Sequence, residues 1–222
     1  MMNIIHRLRP SRRANEAVGG ALSESERAAM IGAAAGKLAE LFDVLHIDHR
    51  NDHNTRETPT RVARMFVDEM MQGRFSDPPA LTEFDNVEAF DQLIVIGPID
   101  VRSTCAHHMM PIYGEAYLGV LPSADGKVIG LSKYDRIVDH FSGRLQIQEE
   151  LTKQIGQFIM EKTEPRGVAV RISAVHMCKT HRGVRASHRS RMITSAYFGT
   201  LADDPALKEE FLRECAGLAR SP

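Results

Sequence analysis

The stretch GVAVRISAVHMC, residues 167–178, does most to limit what this chain can fold into. Val168, Val170, Ile172 and Ala174 share one parity, so a regular strand puts them on one face. His176 and Cys178 continue the same parity at its end. An apolar strand face that runs out into an imidazole and a thiol is a candidate for buried chemistry at the strand's end. A second such place is TCAHHMMP, residues 104–111, where Cys105, His107 and His108 crowd together. Successive residues of a strand point to opposite faces, so His107 and His108 cannot both serve one ion from an extended segment. On a turn, Cys105 and His108 converge while His107 faces elsewhere.

Two thiolates, from Cys105 and Cys178, and one imidazole, from His108, form a set that zinc accepts. Three protein ligands leave a fourth position free, which is the mark of a catalytic site. The same spacing also fits a structural site or inert buried thiols. Cys215 could close the shell, but it lies in EEFLRECAGL, a terminal helical pattern where a small apolar contact is the simpler reading. Three widely spaced cysteines suit a reducing compartment better than a disulfide framework.

The surrounding pattern is mixed. Residues 1–21 read as a flexible, arginine-rich tail, and residues 22–90 as a helical N-terminal region. Within it Ser23 is an N-cap with Glu26 in the capping-box place, and Pro59 opens a second helix. From residue 91 to 222 the texture becomes strand pair, helical pair, strand pair. QLIVIGPI, YGEAYLGVLP and KVIGL come first, with SADG as a turn. Ser132 reads as the N-cap of a helix that Gly143 interrupts, and Leu151, Ile155, Phe158 and Ile159 mark the next helix. RMITSAYFG is the last strand. The fold class is therefore α+β.

A formal net charge of −1 and the absence of Trp give no support to a nucleic-acid partner. No apolar run of about 18 residues predicts a membrane span, and no targeting signal is evident, so a cytoplasmic location is expected. Several cations instead suit a polyphosphate: Lys133 and Arg136 near a helix start, Arg182 after Cys178, and Arg61 and Arg64 near Pro59.

Taken together, CAHH, GLSKYDRIV, RLQIQEELTKQI, HMCKTHRG and MITSAYFG, in this order between about Glu57 and Phe211, resemble the GTP cyclohydrolase I family. The resemblance implies a tunnelling fold, an antiparallel sheet backed by helices, assembled as a homo-oligomer, usually a decamer of two stacked pentameric rings. It implies conversion of GTP to 7,8-dihydroneopterin triphosphate and formate with Zn2+ on Cys105, His108 and Cys178. It makes His107 and His176 the acid–base pair. Glu149, with neighbouring Gln148, falls at the guanine position, and Ser132, Lys133, Arg136, Arg182, Arg61 and Arg64 fall at triphosphate positions. A paralogue that stops at a formamidopyrimidine, or uses another guanine compound, is the alternative reading.

Three departures from the family pattern stand out. Ala106 replaces the usual Glu, His181 the usual Met, and RASHRSRM is more basic than the usual linker.

Overall fold

The computed structural model describes residues 12–219. They fall into two compact units that divide between Asp77 and Pro78.

The first unit is built on helix α1, Glu24–Val44. Ser23 caps it as its sequence suggests: the hydroxyl accepts from the Glu26 amide, and the Glu26 carboxylate accepts from the Ser23 amide. Helix α2, Thr58–Arg64, carries proline in its first turn and continues into a π-helical turn, Met65–Met70. Residues 12–21, expected to be loose from their composition, are tied down here. The Val18 amide donates to the Arg74 carbonyl and the Leu22 amide to that of Phe75. The Arg74 guanidinium reaches the carbonyls of Ala14 and Glu16. Val18 and Leu22 bury themselves with Val67 and Phe75. The cause is a set of backbone acceptors satisfied by one arginine, which charge composition does not reveal. Residues 1–11 lie outside the described residues.

The second unit centres on a five-stranded sheet ordered β5-β2-β3-β6-β7. Its strands are β2 (Ile94–Cys105), β3 (Pro111–Leu121), β5 (Leu145–Gln146), β6 (Gly167–His176) and β7 (Met192–Gly199). All pairings are antiparallel except the short parallel contact of β5 with the end of β2. A separate ribbon pairs β1 (Glu83–Asp85) with β4 (Lys127–Ile129), so the polar connector after Asp77 belongs by contact to this unit.

Two helices, α3 (Ser132–Ser142) and α4 (Gln148–Thr163), cover one sheet face. The strand face read from alternation is the one they cover: Val168, Val170, Ile172 and Ala174 are fully buried with Ile137, Val138, Leu151, Ile155 and Ile159. Four apolar side chains on one strand face, each worth about 1–3 kcal/mol when fully buried, fix which face turns inward. A turn of helix, α5 (Met177–Thr180), follows β6, and a short helix α6 (Thr200–Asp203) follows β7. Helix α7 (Pro205–Leu218) then packs on the opposite sheet face. Cys215 is buried there with Tyr117, Leu121, Ala169, Leu201 and Phe211, so it is a core contact as its helix pattern suggests. Among the described residues no helix is long and apolar enough to cross a membrane.

Candidate metal and purine site

The ends of β2 and β6 meet because β3 lies between them in the sheet. Cys105 is the last residue of β2. The chain then reverses in a tight turn, with the Met109 amide donating to the Cys105 carbonyl and the Cys105 amide to that of Met110, each at 2.8 Å. Met109 takes a left-handed φ of 53° to close it. The Ala106 amide is held by the Gln146 carbonyl at 2.9 Å. The chain re-enters the sheet as β3, where Ile112 pairs with His176. Two residues beyond His176, Cys178 sits on α5 rather than on the strand. The parity argument thus holds through His176, and a helical turn delivers the thiol.

The result is a cluster in which one ligand atom each from Cys105, His108 and Cys178 lie within 4.8 Å of one another. Cys105 is buried, Cys178 half-buried and His108 exposed. Burial pushes the Cys178 thiol above its ordinary value, and its hydrogen bond to Cys105 adds to the effect. A divalent ion of borderline softness, bound by this pair of thiols and the nearby imidazole, would reverse the resistance of Cys178 to ionisation. The donor set fits such an ion, and Cys215 is absent from it. His107 stands beside the cluster, its Nδ1 4.0 Å from the Cys105 sulfur and its ring edge-on to His108.

His176 approaches from the sheet. Burial pulls its pKa below the ordinary imidazole value; Glu149 opposes that shift and Lys179 adds to it. Glu149 lies in the first turn of α4 and is exposed in the single chain. Gln148, read as a partner of Glu149 in recognition, is placed differently. It is fully buried, and its amide is spent within the protein. Its Oε1 accepts from His176 Nε2 at 2.8 Å, while its Nε2 donates to the carbonyls of Ile172 and Met192 and to Thr194 Oγ1, each at 3.1 Å. Thr194 and Thr152, which bond each other at 2.7 Å, complete a network that sequence reasoning missed. Its only trace was a threonine on the inward parity of MITSAYFG.

The cations do not all join this cluster. Arg182 follows Cys178 by four residues and its charge acts on that thiol. Ser132, Lys133 and Arg136 occupy the first turns of α3, whose far end is pinned beside the cluster by Ser103 Oγ donating to the Ser142 carbonyl. At about 1.5 Å of rise per residue, α3 sets Ser132 and Lys133 roughly 14–15 Å, and Arg136 roughly 9 Å, along its axis from that pinned end. Arg136 instead lines a cavity of about 420 Å³ with Pro98, Asp100, Arg102, Asp135 and Asp139. Ser132 is the first helical residue and makes no cap; Leu131 holds the N-cap position. Arg61 and Arg64 are exposed on α2 of the first unit.

An α+β protein with two thiols and an imidazole gathered at the ends of its strands, and two more imidazoles beside them, has the makings of a metal-dependent enzyme. Known proteins narrow that class. The GTP cyclohydrolase I family model matches residues 34–216, and the chain belongs to that family. GTP cyclohydrolase 1 of Carboxydothermus hydrogenoformans is 44% identical over 155 residues, 70% of this chain and 79% of its own. That of Shewanella denitrificans is 39% identical over 178 residues, 80% of each. The apo structure of an archaeosine synthase QueF-Like matches 55% of this chain and 97% of its own, with a TM-score of 0.36 and 16% identity, too weak a likeness to specify a shared fold.

Proposed function

We propose that this protein is a GTP cyclohydrolase I: a Zn2+-dependent enzyme that opens the guanine imidazole ring of GTP and yields 7,8-dihydroneopterin triphosphate and formate. The observation that carries the reading is the convergence of Cys105, His108 and Cys178 beside His107 and His176 in a chain of this family. Zinc held by those three residues supplies Lewis acidity that brings the pKa of a water close to neutral.

The rest falls to the chain. Glu149 accepts hydrogen bonds from the N1–H and 2-amino group of guanine and fixes the ring edge. A proton delivered to N7 by His176 makes C8 more electrophilic, and His107 serves the later transfers. Water adds at C8, the C8–N9 bond opens, and a second hydrolysis releases formate. The ribose then rearranges and the new ring closes, steps that need groups able to move protons near neutral pH. Arg182, Lys133, Ser132, Arg136, Arg61 and Arg64 hold the triphosphate.

The separation along α3 between its pinned end and Ser132 and Lys133 supports an active site assembled from adjacent copies. Such sites belong to a tunnelling fold closed into rings, which we propose as a decamer of two stacked pentamers. We place the enzyme in the cytoplasm, where reduced thiols persist.

The test is incubation of metal-replete protein with GTP, measuring formate and pterin together. Equal amounts are expected. One observation favours a second reading, namely Ala106 where the family usually has an acid. A formamidopyrimidine that persists, with Ala106→Glu restoring pterin, would establish that paralogue instead.

A further inference from the structure

The buried Gln148 amide has only one orientation that satisfies its surroundings. Two of its neighbours, the Ile172 and Met192 carbonyls, can only accept hydrogen bonds, so the NH2 group must face them. A flipped amide would set Oε1 against two carbonyl oxygens in the interior, at the full cost of unsatisfied buried groups. Oε1 therefore faces His176, and at 2.8 Å it requires a proton on His176 Nε2. Resting on the enzymatic reading above, we propose that Gln148 is a positioning residue. It locks His176 in the Nε2–H tautomer, so that Nδ1 is the nitrogen that takes and releases the proton passed to the substrate.

The consequence is a fixed division of labour on one ring. The Nε2 proton stays in the protein network during turnover, because losing it would leave Oε1 facing a bare ring nitrogen. Proton traffic runs through Nδ1, whose lone pair the network leaves alone. Thr194 also accepts from this amide, and Thr152 bonds Thr194 in turn, but the Ile172 and Met192 carbonyls alone suffice to fix the amide's orientation toward His176. Guanine selection then rests on Glu149 without the Gln148 side chain.

The test compares Gln148→Met with Thr194→Val in the full-length, zinc-loaded protein. Each removes a buried hydrogen bond of the same amide, but only the first removes the His176 contact. In 15N-histidine-labelled wild type, with His176→Asn for assignment, His176 should show a protonated Nε2 and a bare Nδ1. In Gln148→Met the two nitrogens should average between tautomers, and kcat for GTP should fall about a hundredfold with KM within threefold, the low end of what a positioned acid–base group contributes. Thr194→Val should keep the wild-type tautomer and a kcat within threefold.

An Nδ1–H tautomer in the wild type overturns the proposal, and that spectrum decides even if Gln148→Met does not fold. So does an equal loss of kcat in Thr194→Val, which would make the network merely structural. A rise in KM alone in Gln148→Met would return the residue to guanine binding. A protein that opens no purine ring but shows the locked tautomer would sink the functional reading and leave the positioning role standing.

Discussion

Replacing Gly114 by alanine should damage the site from a distance, and the structure sets the scale. Gly114 on β3 pairs with Ala174 on β6. A Cβ there would lie 2.1 Å from the Ser173 carbonyl oxygen and 2.6 Å from the Ala174 Cα. Both are backbone atoms and cannot rotate away. Restoring ordinary contact needs the strands to part by roughly 1 Å, a misplacement that can cost on the order of a hundredfold in rate when it reaches reacting groups. It does reach them, because two residues along the same ladder Ile112 pairs with His176, just before Cys178. Overpacking of this kind also costs about 1–3 kcal/mol of stability. Thermal denaturation, metal content and formate release should all fall together. Gly36→Ala is the control: it lies within α1, a Cβ there meets nothing within 4 Å, and helix propensity favours the change by up to about 1 kcal/mol. Wild-type Tm and kcat in Gly114→Ala would refute the steric reasoning, and equal losses in both variants would show that the assay does not isolate it.

Other outcomes follow from the same geometry. Glu149→Gln should lower kcat/KM for GTP by about thirtyfold, the low end of about 2–5 kcal/mol for a charge-assisted pair, since the carboxylate is exposed in the single chain; unchanged kinetics would remove Glu149 from guanine recognition. Lys133→Gln and Arg182→Gln should lose more activity with GTP than with guanosine as substrate, measured side by side as kcat/KM. Burial raises the Cys215 thiol from 9.0 to about 11 and the Tyr134 phenol from 10.0 to about 12. The folded chain thus holds protons that the unfolded chain releases, so stability should decline from about pH 9 up to pH 12, with Cys215→Ala removing the first part of the decline in a Tm–pH series.

The strand face of β6 was legible because apolar alternation has only one buried solution, and the same pattern led to His176. Cys178 was legible only as a partner, since the turn of helix that carries it leaves no periodic mark in four residues. The pairing of Cys105 with His108 followed from the impossibility of two adjacent histidines facing one ion. The burial of Gln148 was not legible, because its neighbours in sequence are the polar residues of a helix start. Its burial depends on Ile172, Met192 and Thr194, contacts that exist only once β6 and β7 are paired. The tethering of residues 12–21 by Arg74 was hidden for a like reason, as it uses carbonyls, which composition does not count. The distance of Lys133 and Arg136 from the cluster was hidden too, since both neighbourhoods carry the right residue types and only the length of α3 separates them.

Because Cys105 closes β2 and Cys178 follows β6, an ion shared between them would act as a clasp across the middle of the chain. It would shorten the unfolded coil much as a disulfide does, removing loop freedom from the disordered state. Binding to the native form alone adds stability in proportion to the logarithm of free ion over its dissociation constant. Loss of the ion and melting of the sheet would then become one cooperative event. A chelator would then lower the melting temperature of this protein as well as its activity, each in step with the free ion.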